Sequence, residues 1–195
     1  MVVIKIGGSL QSTSYIKKWI KEIKINRNES FLLVFGGGKY AKYVRNEQKI
    51  KNYNDAEAHK LAIDAMKKFT NENISYLKDF TFIDSFSYLK KNFQKRKLYV
   101  WLPSEYEVEQ LNIPKNWDAT SDSIALEISK KINAPLLVIK SIRFNKEKYI
   151  NSFILKKGVL DNYFSNNYKN YDNRISIVGR EKHYKLREIC NYLLN

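Results

Sequence analysis

A single cysteine, Cys190, stands among the 195 residues, so the chain can close no internal disulfide and the disulfide-stapled scaffolds of extracellular proteins are excluded. Cys190 lies in an apolar helical pattern, which predicts a buried, reduced thiol and a cytoplasmic setting. Long hydrophobic runs are missing too. The first apolar stretch, Met1 to Ile4, is broken by Lys5, which is too short for a secretory h-region or a membrane span, so no export or insertion signal is expected. With three prolines and seven glycines there is no Pro/Gly-rich linker, and no repeat of fixed period appears. One domain over residues 1–195 is therefore expected, a size sufficient for one substantial core. Acidic residues are outnumbered, 20 Asp and Glu against 35 Lys and Arg, for a formal net charge of +15. Such a charge attracts nucleic acid, anionic membrane or phosphorylated small molecules. The lysines are scattered as Lys17-Lys18, Lys67-Lys68, Lys90-Lys91 and Lys130-Lys131 and form no basic arm. A solvated, lysine-rich surface is the simpler reading, with no nucleic-acid motif and no membrane partner.

What is present is the pattern of a folded α/β chain. Val2 to Ile6 and Phe31 to Phe35 are unbroken apolar or β-branched runs that end in glycines, the profile of buried parallel strands. Between them Ile16, Trp19, Ile20 and Ile23 fall at helical spacing, with Ser12 or Ser14 available as the cap, so the segment reads as a βαβ unit. Helices are predicted around Tyr40, Tyr43 and Val44, over Ala58 to Phe69, and over Ser121 to Ile132. Strands are predicted at Phe80 to Ile83, Leu98 to Leu102, Leu136 to Ile139 and Ile175 to Val178, and a closing helix carries Leu186, Ile189, Cys190 and Leu193. The Asn/Tyr-rich stretch from Asn162 to Asn173 reads as a loop. The fold class is thus α/β, a three-layer αβα sandwich with a mainly parallel sheet.

Three features carry chemistry. Gly7-Gly8-Ser9, after one buried strand, and Gly36-Gly37-Gly38, after the next, offer free backbone N–H groups with no side chain in the way, as a phosphate requires. Tight turning alone is the competing reason for either loop. Neither is a Walker A sequence or a dinucleotide fingerprint. Lys5, two residues before the first glycine pair, is placed to neutralise charge on a transferring phosphoryl group, unless it merely snorkels to solvent. Trp117 to Ala125 is a polar cluster that opens a helix, with Thr120 or Ser121 as cap and Asp122 in the first turn, where a carboxylate is favoured in any case.

Together, Lys5-Ile-Gly-Gly-Ser9, Phe35-Gly-Gly-Gly38 with Arg45 beyond, and Thr120-Ser-Asp-Ser-Ile-Ala125 resemble the amino acid kinase superfamily, which includes acetylglutamate, aspartate, uridylate and isopentenyl phosphate kinases. Within it the chain is most similar to the (5-aminomethylfuran-3-yl)methyl phosphate kinases of methanofuran biosynthesis, through His59-Lys-Leu-Ala62, Leu102-Pro-Ser104, Trp117 to Ala125 and Val138-Ile-Lys-Ser141. The resemblance implies transfer of the γ-phosphoryl of ATP, as its Mg2+ complex, to a small acidic acceptor, a phosphate monoester foremost. Lys5 and Asp122 would be catalytic. Gly7, Gly8 and Ser9, with Lys140 and Ser141, would hold the nucleotide phosphates. Gly36, Gly37, Gly38, Arg45, His59, Thr120 and Ser121 would hold the acceptor, with His59 open to a purely structural role. The resemblance also implies an acceptor half over about 1–118, a shortened nucleotide half over about 119–195, a homodimer, and no metal site of the protein's own. The family's Thr-Asp-Val-Asp-Gly-like loop and second catalytic lysine are not matched, since Lys140-Ser-Ile-Arg143 stands there instead. Lys140, Lys156, Lys157 and Lys182 are the candidates for that lysine. A non-catalytic relative that binds a nucleotide, an oxyanion or a partner subunit is the alternative class.

Overall fold

The computed structural model describes residues 1–143, 158–171 and 173–195. Six strands, β1 (Val2–Ile6), β2 (Phe31–Phe35), β3 (Thr81–Ile83), β4 (Leu98–Trp101), β5 (Leu136–Lys140) and β6 (Ile175–Gly179), form one sheet in the order β3-β4-β2-β1-β5-β6. All five pairings are parallel, so the sheet is parallel throughout. β1 and β2 are buried at every residue because helices cover both faces.

Side-chain alternation divides the core in two. On one face Val3, Leu32, Val34, Leu136 and Val138 pack against α3 (Asp55–Glu72), α4 (Phe86–Asn92), α5 (Glu105–Glu109), α6 (Ser121–Lys131) and α7 (Asn162–Asn167). On the other, Val2, Ile4, Ile6, Leu33 and Leu137 pack against α1 (Tyr15–Ile25) and α8 (Leu186–Leu194), with Cys190 buried among them. α2 (Gly38–Lys51) begins at the second glycine loop and lies along α3. Two helical layers therefore enclose one sheet, three layers in all. No helix among the described residues is long and apolar enough to cross a membrane.

The polar stretch that begins at Asn162 is not a loop. It is helical over Asn162–Asn167, because the Asp161 carboxylate accepts the Phe164 N–H at 2.9 Å and Phe164 inserts fully into the core, and a 3-10 turn, Tyr168–Asn170, follows. Neither Ser12 nor Ser14 caps α1 with its side chain; the Thr13 hydroxyl accepts the Tyr15 N–H at 3.3 Å instead. The short helices α4 and α5, which periodicity does not announce, start where the Ser85 and Ser104 hydroxyls accept N–H groups three residues on.

Candidate functional site

Strand alternation turns Lys5 to the same face as Val3, toward α6. Lys5 is paired with Val138 across β1 and β5, so Lys140, two residues past Val138, projects from that face as well. Asp122, in the first turn of α6, lies between the two lysines. Its Oδ1 accepts from Lys5 Nζ at 2.5 Å and its Oδ2 from Lys140 Nζ at 2.7 Å. Lys5 is 3% exposed and Asp122 4%. Burial alone would raise the Asp122 carboxyl; the two ammonium charges outweigh it and hold the group down at about 2. Burial draws the Lys5 ammonium below the ordinary lysine value, the Lys140 charge adds to that, and Asp122 opposes both. The result is a fixed, largely dry trio with one positive charge in excess.

The glycine loops meet directly above this trio. A Cβ on Gly8 would fall 2.2 Å from the Gly38 amide nitrogen, so the contact between the loops requires glycine at position 8. Gly38 has φ +54, a left-handed conformation that a side chain would strain. The Ser9 hydroxyl donates to the Ser141 hydroxyl at 2.8 Å, which ties the loop after β1 to the end of β5. The chain leaves β1 toward β2 on one side and leaves β5 toward β6 on the other. The first glycine loop, after β1, and the end of β5 therefore flank the point where strand order reverses, the place where open α/β sheets form a crevice, and the second glycine loop adjoins the first.

That crevice is a cleft of about 350 Å³. Among the described residues four cations line it, Lys5, Lys42, Arg45 and Lys140, against one carboxylate, Asp122. One wall is apolar, built from Ala62, Ile63, Met66, Ile124 and Trp117. The Arg45 guanidinium lies 4.2 Å from the centre of the Trp117 ring, and Trp117 Nε1 donates to Gln48 Oε1 at 2.6 Å, so the arginine is stacked on an anchored platform. His59 is buried between the cleft and an adjoining cavity of about 100 Å³. Burial first, and then the Lys115 charge, lower its pKa against the pull of Glu105, which favours a neutral imidazole.

Of the residues singled out by sequence, Lys5, Gly8, Ser9, Gly37, Gly38, Arg45, His59, Thr120, Ser121, Asp122 and Lys140 line the cleft. Gly7 and Gly36 stand behind it, their N–H groups extending the strand ladder to Ile139 and Ile6, and Ser141 reaches it through Ser9. Lys182 lies in the 3-10 turn Arg180–Lys185 and is not among the lining residues, while Lys156 and Lys157 fall outside the described residues. Thr120 occupies the cap position of α6, as one of the two expected there, but makes no capping bond of its own. Its hydroxyl donates to Asp161 Oδ2 at 2.7 Å. Asp161, Lys42 and Gln48 were not among the sequence candidates. Only Asp161 carried a signal, an Asp three residues before an apolar Phe164, and that signal spoke for a local cap and not for the site.

No family model matches the chain. The chain is 31% identical over 142 residues to the (5-aminomethylfuran-3-yl)methyl phosphate kinase of Methanocaldococcus jannaschii, an alignment that takes in 71% of this chain and 64% of that protein. It thus spans a little under two thirds of the length of the curated relative it matches. The uridylate kinase of Archaeoglobus fulgidus superposes with a TM-score of 0.66 over 91% of this chain and 89% of its own, at 14% identity. The UMP kinase of Bacillus anthracis does so with a TM-score of 0.69 over 98% and 91%, also at 14% identity. At that identity the two structures speak for the fold alone. The chain thus has the fold of the uridylate kinases and is similar in sequence, over 142 residues, to a phosphate kinase.

Proposed function

We propose that the protein is an ATP-dependent kinase that transfers the γ-phosphoryl group of ATP to a small phosphate monoester, giving ADP and a diphosphate. The observation that carries the reading is the Lys5–Asp122–Lys140 trio beneath two glycine loops, because phosphoryl transfer needs positioned positive charge more than covalent help. A phosphate oxygen of the acceptor attacks the γ-phosphorus, the bond to the β,γ-bridging oxygen breaks, and ADP departs with that electron pair. Lys5 stabilises the phosphoryl group in flight. Lys140 takes the part of the second lysine on the nucleotide side, beside Gly7, Gly8, Ser9 and Ser141. Gly36, Gly37 and Gly38 with Thr120 and Ser121 hold the acceptor, Arg45 forks onto its anionic end, and neutral His59 is a hydrogen-bonding partner at the cleft's edge.

Asp122 orients the lysines and is no general base, since both its oxygens are engaged and its pKa is held at about 2. That supports an acceptor which is already anionic, for a phosphate oxygen needs no proton removed before it attacks. The apolar wall and the modest volume favour a compact organic group over a bare anion, which suits (5-aminomethylfuran-3-yl)methyl phosphate. Among the described residues Asp122 is the only carboxylate that lines the cleft, and no three His, Cys, Asp or Glu side chains gather. Magnesium would enter this site together with the nucleotide. When bound, that ion shields phosphate charge. A cytoplasmic homodimer, with acceptor and nucleotide halves meeting near residue 118, completes the reading.

The test is ADP release from Mg-ATP with (5-aminomethylfuran-3-yl)methyl phosphate, uridine monophosphate and carboxylate acceptors, run beside Lys5→Ala. Turnover that depends on a phosphate acceptor and disappears in Lys5→Ala is expected. ATP binding without turnover on any acceptor would point to the non-catalytic alternative, and the absence of both would end the kinase reading.

A further inference from the structure

Asp161 is reached 41 positions after Thr120, yet its carboxylate gathers five hydrogen bonds. Oδ2 accepts from the Thr120 N–H at 2.8 Å, the Thr120 hydroxyl at 2.7 Å and the Ser123 N–H at 3.1 Å. Oδ1 accepts from the Phe164 N–H at 2.9 Å and from the Ser123 hydroxyl. One carboxylate thus caps two helices, α7 from within and α6 from outside. A cap on α7 needs only the bond to Phe164. The other four all fall on Thr120 and Ser123, which flank the Ser121-Asp122 pair in the first turn of α6.

We infer that Asp161 is a positioning residue of the phosphoryl-transfer site, fixing the first turn of α6 so that Asp122 holds Lys5 and Lys140 at a set separation. Without these bonds the turn is left with a threonine that supplies no cap of its own, and it would fray where the carboxylate must be most exact in place. Asp161 also acts through space. The groups that act on Lys5 are Asp122 from α6, Lys140 from β5 and Asp161 from the start of α7, and the Asp161 charge favours the ammonium form of Lys5.

The kinetic part of this inference rests on the function proposed above; the electrostatic part does not. Asp161→Ser retains a side-chain acceptor suited to capping α7 but is too short to serve both helices. The experiment compares it with the unaltered protein by circular dichroism, by NMR titration of the Lys5 ammonium in lysine-labelled protein assigned through Lys5→Arg, and by steady-state kinetics. A folded variant is expected in which Lys5 titrates at lower pH, kcat falls by about 10- to 100-fold and KM for ATP moves by less than about threefold, the pattern of a misplaced group and not of lost binding. Wild-type Lys5 titration together with wild-type kcat would overturn the inference and leave Asp161 as the cap of α7 alone. Ser123→Ala, which leaves that cap untouched, gives the same comparison should Asp161→Ser not fold, with a smaller shift in the same direction expected and no shift overturning it. If the unaltered protein turns over no acceptor, the function fails while the Lys5 titration still decides the role of Asp161.

Discussion

Asp122 has an unusual set of obligations for one side chain: it is buried, it is held by two lysines, and neither of its oxygens is left over. Its folded pKa of about 2 lies below the ordinary carboxylate value near 3.9, so its contribution to stability is fully present above about pH 4 and is lost as pH falls through 2. The shift corresponds to about 2 kcal/mol. Asp122→Asn keeps the shape and removes the charge. In urea titrations at pH 7, 4 and 2.5, the unaltered protein is expected to lose about half of this increment between the last two values, most of the rest going at still lower pH, while Asp122→Asn loses much less. At pH 7 the variant should be less stable by about 3 kcal/mol, because Lys5 is left buried without its counter-charge. Equal pH dependence in the two proteins would show that the trio does not contribute to folding.

Between elements, the two glycine loops approach backbone to backbone, and Gly8→Ala tests that contact. The added methyl group would stand 2.2 Å from the Gly38 amide nitrogen, which is backbone and cannot swing aside. The loops must separate, at an expected loss of about 1 to 3 kcal/mol in a thermal or denaturant melt and a fall in kcat larger than that loss of stability explains. A melt unchanged by the substitution would mean that the loops are not held together in solution. The sequence revealed these loops, and β1, β2 and β5 around them, because an unbroken apolar run ended by glycine leaves a buried strand few alternatives. It also named Lys5 and Asp122, although their 117-residue separation says nothing of their meeting; only the resemblance joined them. Lys140 stood as one of four candidate lysines until the register of β5 against β1 turned it to the α6 face. Helix α7 went unread because its composition is that of a loop and its stability comes from one cap and one buried phenylalanine, Phe164. The reach of Asp161 to α6 is a tertiary fact, invisible to any window of neighbouring residues.

For the molecule as a whole, the open matter is whether its charge of +15 acts at the cleft or only dresses the surface. The four cations and one carboxylate that the described residues bring to a cleft with a low-dielectric wall focus potential locally, whereas lysines elsewhere are screened over about 10 Å at 0.1 M salt. Lys90 and Lys91 separate the two possibilities, since both are exposed in the last turn of α4 and Lys90 lies in a groove with Met1 and Ala134, at the amino edge of the sheet. Replacing both with glutamate lowers the net charge while leaving the cleft intact. If the cleft sets the attraction, KM for a phosphate acceptor should rise by about threefold or more between 50 and 300 mM salt in both proteins alike, with kcat within about twofold because the buried trio is little screened. If the whole surface steers the acceptor, the doubly substituted protein should start from a higher KM at low salt and show a shallower rise. The first outcome is expected, because the acceptor's partners are the few charges it touches, and the scattered lysines lie too far from them to add once salt is present.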